Sequence, residues 1–155
     1  MRIFLGTDHA GYELKNQIKI YLRELGYEVN DEGAFELDQQ DDYPDFVEIV
    51  AKQVASDPVN HRGVIFGASG QGEAMVANRL PKVRAAVYYH HNLDIIKMSR
   101  RHNDANVLSI GASYLSEDEA KEAIKVWLAT EFSNEERHVR RLKKIEGEIT
   151  RELSF

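Results

Sequence analysis

Residues 62–79 read RGVIFGASGQGEAMVANR, and this stretch decides the fold. Val64-Ile65-Phe66 is a short apolar run suited to a buried strand; it stops at Gly67-Ala68-Ser69-Gly70-Gln71-Gly72, and a helical pattern of Glu73, Met75, Val76 and Ala77 begins at once. Glycine lacks a Cβ, so such a loop turns sharply and can bring its N–H groups close to a bound anion. The helix start adds N–H groups without intrahelical acceptors and a partial positive charge at the same place. Glu73 sits in that first turn. A carboxylate beside an anion cradle suits proton abstraction next to a carbonyl: the base takes the proton and the N–H groups hold the enediolate. The turn also reads as a plain strand-to-helix connection, with Glu73 complementing the helix dipole. It is not a Walker A loop, since no Lys-Ser or Lys-Thr follows Gly72, and the dinucleotide fingerprint lacks its third glycine.

The same alternation extends to both sides. Arg2-Ile3-Phe4-Leu5 ends at Gly6, and from Ala10 the residues Leu14, Ile18, Tyr21, Leu22 and Leu25 recur at helical spacing until Gly26. A second strand around Tyr27-Glu28-Val29 leads into the polar loop DEGAFELDQQDDYPD, where Pro44 opens a helix through Phe46, Val47, Ile49, Val50 and Val54. Beyond the central stretch the pattern predicts a strand over 84–89, a helix over 93–98 and a strand over 106–110. A helix over 116–130 follows, with Ser116 as cap and Glu119 completing a capping box. A charged helix over 133–152 has no strand after it and is placed to pack on a partner subunit. The expected fold class is α/β: a three-layer α/β/α sandwich with a five-stranded parallel sheet, Rossmann-like, and an extra C-terminal helix. Residues 1–155 are expected to form a single domain.

The 155 residues suffice for one core without staples. With no cysteine there is no disulfide, thiolate nucleophile or Cys-based metal site. No apolar run approaches the roughly 18 residues of a membrane span, and MRIFLGTD reads as a strand start, so a cytoplasmic protein is expected. A net charge of −6 argues against a nucleic-acid partner.

Ligands of open α/β sheets bind at the carboxyl ends of the strands, which singles out Asp8 and His9 after the first strand and 67–73 after the third. Asp8 reads equally as a helix cap. His90-His91 lack a third metal ligand, and Asn92 fits a helix cap; no metal site is expected. In Arg101-His102-Asn103-Asp104, Asn103 suits a left-handed helix end. Arg137 and Arg141 share a helix face, as a phosphate fork or as a solvated basic surface.

Together GTDHAG (6–11), DEG (31–33), DYP (42–44), GASGQGE (67–73) with AN (77–78), RAA (84–86), RRHNDANVL (100–108) and RH with Arg141 resemble the ribose-5-phosphate isomerase B and galactose-6-phosphate isomerase family. The resemblance covers nearly the whole chain. It implies an aldose–ketose isomerase, foremost for ribose 5-phosphate, acting as a homodimer or dimer of dimers whose sites draw on two subunits. Glu73 would shuttle the proton between C1 and C2, while Ser69 and the amides through Gly70, Gln71 and Gly72 would hold the enediolate. His102, from the partner, would open the furanose ring, with Asp8 near the ring oxygen and Asn103 on sugar hydroxyls. His9, Arg137 and Arg141 would take the phosphate, and Tyr43 would line the pocket. No metal or cofactor is needed, because the N–H cradle already stabilises charge. Two departures stand out: one branch of the family has a cysteine base where this chain has Gly67, and many pentose-phosphate members have an arginine where this chain has Ser113. The same chemistry on a hexose or tetrose phosphate, or a non-catalytic sugar-phosphate binder, are the alternatives. A response-regulator receiver fits poorly: it needs an aspartate and a lysine where Phe66-Gly67 and Gly111-Ala112-Ser113 stand.

Overall fold

The computed structural model describes residues 1–147. In chain order the elements are β1 (Arg2–Thr7), α1 (Tyr12–Glu24), β2 (Glu28–Asp31), α2 (Tyr43–Ser56), β3 (His61–Gly67), α3 (Gln71–Ala77), β4 (Ala85–Tyr88), α4 (Leu93–Arg101), β5 (Val107–Gly111), α5 (Glu117–Ala129) and α6 (Glu136–Gly147). All five strands are parallel, in the order β2-β1-β3-β5-β4. One core, with Leu14, Ile18, Ile96, Ile124 and the fully buried Trp127, joins α1, α4 and α5 to one face of the sheet. A second, with Val47, Val50, Val54 and Ala77, joins α2 and α3 to the other. The expected α/β/α sandwich is what the chain forms.

Local chemistry sets the boundaries. Ser116 Oγ accepts the Glu119 N–H at 3.2 Å while Glu119 Oε2 takes the Ser116 N–H at 2.8 Å, so the predicted capping box starts α5. Asn92 caps α4, and Pro44 lies in the first turn of α2. Gly26 takes a left-handed φ of 87° just beyond α1. Other expectations need correction. The first helix starts through a 3-10 turn, His9–Gly11, because Asp8 Oδ1 accepts the Ala10 N–H at 2.9 Å. The left-handed residue after α4 is Asp104 (φ 44°), not Asn103, and the helix extends to Arg101. Asp104 is held there by its carboxylate, which pairs with Arg84 at 2.9 Å and Arg100 at 2.7 Å. The last helix starts at Glu136; the predicted part beyond 147 lies outside the described residues.

Helix α6 is not detached from its own chain. His138 is buried with its ring stacked on His102, centroids 4.4 Å apart, and Arg84 pairs with Glu146. The arginines 137, 140 and 141 remain exposed.

A buried ion cluster fixes the loop after β2. Lys15, fully buried, and Lys19 each reach Asp31 at 2.6 Å, and Lys15 also donates to the Ala34 carbonyl. Burial alone would raise the Asp31 pKa, but the two ammonium groups and the Gly33 N–H outweigh it and hold the carboxyl below its ordinary value. Asp31→Ala strands the Lys15 charge, and a loss of about 3–5 kcal/mol in denaturant titration is expected. The contribution of Asp31 is present above its ordinary pKa and disappears as pH falls through the lowered one, so the variant's deficit should shrink in acid.

Candidate active site

The chain leaves β1 towards β2 on one side and β3 towards β5 and β4 on the other, so the order reverses between β1 and β3. A crevice opens outside the carboxyl ends of strands at such a switch point. Asp8 and His9 follow β1 there, and Gly67 to Glu73 follow β3.

Gly70 begins α3 with a left-handed φ of 77°, and Ser109, fully buried on β5, donates its hydroxyl to the Gly70 carbonyl at 2.6 Å. That bond ties the loop to the sheet and sets the direction of the first-turn amides, which have no intrahelical acceptors. Ser69 Oγ lies 3.4 Å from the Gln71 N–H. A side chain at Gly72 would meet the Tyr43 hydroxyl, which places Tyr43 over this turn.

Glu73 is only 4 % exposed. A Cβ at Gly67 would fall on its carboxylate, so the carboxylate lies across the bare backbone at the end of β3. Burial raises the Glu73 pKa above the ordinary 4.5; the charge of Asp8 adds to this, and the bond from the Glu73 backbone N–H opposes it. Burial therefore outweighs the lowering by that backbone N–H. A carboxylate raised this way is a stronger base once ionised.

His9 donates its backbone N–H to Asp41 Oδ1 at 2.9 Å and places ring Nδ1 2.7 Å from the same oxygen. The His9 pKa is raised, first by this hydrogen bond and then by the charges of Asp8, Asp41 and Asp38, against the lowering effect of burial. Asp8, His9 and Asp41 bring donor atoms within 4.8 Å of one another, yet the short Nδ1···Oδ1 contact is that of a histidine–carboxylate pair, not a coordination shell.

The remaining sequence candidates lie at the opposite edge. Helix α4 runs back along the sheet, so His102 and Asn103 end beside the starts of β4 and β5, where Arg84 donates to the Asp104 carbonyl at 2.9 Å. Arg137 and Arg141 follow on α6. A strand of five or six residues spans roughly 15–20 Å, which separates this group from Glu73 within one chain. A cavity of about 600 Å³, lined by Leu80, Arg84, Asn103, Leu142 and Ile145 among others, is likewise on that side and does not contain Glu73.

Residues 3–145 match the Ribose/Galactose Isomerase family. The chain belongs to that family. It is 37 % identical over 142 residues to ribose-5-phosphate isomerase B of Mycolicibacterium paratuberculosis, covering 92 % of this chain and 87 % of that protein. Among solved structures, ribose-5-phosphate isomerase B of Clostridium thermocellum superposes with a TM-score of 0.91 at 41 % identity, covering 99 % of this chain and 100 % of that one. The Mycoplasma genitalium enzyme, solved with bound ribulose 5-phosphate, gives 0.90 at 31 % identity over 99 % of this chain and 97 % of that one.

Sequence reading missed Asp41 and Ser109, and took His138 only as part of the RH motif. Ser109 could have been found, since a hydroxyl inside the apolar run VLSIG must have a partner. Asp41 carries no local signal among the acidic residues 38–45, because its partner is 32 residues away.

The raised pKa gives a testable sign. Ionised Glu73 costs stability as pH rises from its ordinary pKa through its raised one, so Glu73→Gln should stabilise the fold at neutral pH and not below pH ~4. A gain of about 1 kcal/mol, or about 2–4 °C in Tm, is expected by calorimetry.

Proposed function

We propose that this chain interconverts an aldose phosphate and its ketose, ribose 5-phosphate and ribulose 5-phosphate, with Glu73 as the base. The observation that carries the reading is the buried Glu73 carboxylate lying over Gly67, beside the first-turn amides of α3. It occupies the space where a side chain at 67 would project, the position of the cysteine base in the family's other branch.

In the open-chain aldose, Glu73 removes the C2 proton as the C1 carbonyl becomes an enediolate oxygen. The Ser69 hydroxyl and the amides of residues 69–72 hold the developing charge. The carboxylic acid returns the proton to C1, and a proton passes from O2 to O1, so nothing is gained or lost. Asp8 lies near enough to raise the Glu73 pKa, which supports its assignment beside the sugar's ring oxygen. Tyr43 packs over Gly72, which suits a pocket wall, and His9 is assigned to the phosphate.

A second copy supplies the rest. Ring opening needs His102, hydroxyl recognition Asn103, and the phosphate Arg137 and Arg141, all at the far edge of their own sheet. The exposed apolar side chains Met75, Tyr89, Ile95, Met98 and Tyr114 provide a surface for such a contact on α3, α4 and the loops after β4 and β5. A two-fold dimer that brings one chain's far edge to its partner's Glu73 makes two complete sites. No helix among the described residues is long and apolar enough to cross a membrane.

Ser113 favours a second reading, the same chemistry on a hexose or tetrose phosphate. It is exposed after β5 and donates its N–H to the Ala68 carbonyl at 3.1 Å, where an arginine could have added a phosphate contact.

Two measurements test the proposal. NMR should show conversion of ribose 5-phosphate to ribulose 5-phosphate by the protein; conversion of only a longer or shorter sugar phosphate would replace the substrate. Glu73→Gln and His102→Ala homodimers should each have lost at least 100-fold in rate on cyclic substrate. Unfolded together and refolded, they should recover about a quarter of wild-type activity, because each heterodimer has one site free of both lesions. No recovery would place His102 and Glu73 in the same chain's site.

A further inference from the structure

We propose that Asp41 is the positioning residue for phosphate recognition, its buried carboxylate orienting the His9 imidazole so that a cationic Nε2–H faces the substrate. This rests on the reading of His9 as a phosphate ligand.

Three observations support it. Asp41 Oδ1 accepts both the backbone N–H and Nδ1 of His9, at 2.9 and 2.7 Å, which fixes the residue and the ring together. With Nδ1 engaged, Nε2 lies on the opposite side of the ring. Asp41 keeps about 10 % side-chain exposure, and its Oδ2 is buried with no hydrogen-bond partner among the described residues. A buried carboxylate bonded on one oxygen is costly unless a charge balances it, and the imidazolium of His9 is the group in contact. The charged groups acting on the ring from both sides are carboxylates: Asp8 on its own segment, Asp41 and Asp38 on the loop before α2. All favour the cation.

The chemistry follows. A neutral imidazole bonded through Nδ1–H to Asp41 would present a bare Nε2 lone pair, which repels a phosphate dianion. The imidazolium presents an N–H donor and a charge. Asp41 thus lets one histidine bind phosphate at a pH where a free imidazole is mostly neutral. Because Asp41 precedes Tyr43 by two residues, the same bond ties the loop that brings Tyr43 over Gly72 to the end of β1.

The test combines NMR titration of His9 with KM for ribose 5-phosphate between pH 5.5 and 8.5, in wild type, Asp41→Asn and Asp41→Glu. Asparagine keeps an acceptor for the backbone N–H and removes the charge. The expected results are a lower His9 midpoint in Asp41→Asn, a KM at pH 8 raised about five- to tenfold with kcat within about twofold, and a KM ratio to wild type returning to about one near pH 5.5. Asp41→Glu should recover most of the high-pH KM. An unchanged His9 midpoint, or a KM ratio independent of pH, would overturn the proposal. Should Asp41→Asn fail to fold, the wild-type midpoint decides: above 6.5 supports the pair, at or below 6.5 contradicts it. The NMR comparison needs no substrate, so a wild type inactive on ribose 5-phosphate would count against the substrate assignment alone.

Discussion

The burial of one carboxylate against bare backbone is the constraint on which the site depends. Glu73 can be covered because position 67 carries no side chain, because Gly70 accepts a left-handed φ, and because Ser109 anchors the Gly70 carbonyl to β5. The strand order puts β3 between β1 and β5 and opens the crevice at the β1/β3 switch. The bond from its own backbone N–H would by itself make Glu73 a weaker base. Removal from water reverses that sign, and the charge of Asp8 adds to it.

The sheet imposes a second constraint. A parallel α/β unit returns each chain segment to the far edge before the next strand begins, so residues at the ends of helices lie a full strand length from residues at the ends of strands. His102 and Asn103 belong to the former, Glu73 and His9 to the latter. No rearrangement of side chains closes that gap within one chain. The stacking of His138 on His102 and the Arg84–Glu146 pair hold α6 against the far edge, so the arginines of α6 and His102 travel as one unit. Burial, the His102 ring and Arg137 hold the His138 pKa below its ordinary value, which favours a neutral packing partner.

Much of this was legible in the residues. Glycine and apolar spacing placed every strand and the turn before Glu73, because backbone sterics act locally. The capping box at Ser116 and the caps at Asn92 and Asp8 were likewise local. What escaped was set by distance in sequence: Asp41 on His9, Ser109 on Gly70, and the Arg84–Asp104–Arg100 network that moves the left-handed residue from Asn103 to Asp104. Asp8 had two readings, cap and site residue: its Oδ1 caps the turn, and its charge acts on Glu73. The pKa of Glu73 could not be read from sequence, since its sign is a difference between burial and a backbone hydrogen bond.

The most direct test of Glu73 as the base is deuterium incorporation from D₂O into ribose 5-phosphate, followed by NMR in wild type and Glu73→Gln. It reports proton abstraction whether or not net conversion is large. Exchange at the C2 position and the appearance of ribulose 5-phosphate are expected in the wild type, with both lost in Glu73→Gln while the variant stays folded. Exchange at an undiminished rate in Glu73→Gln would contradict the account and assign the proton to another group.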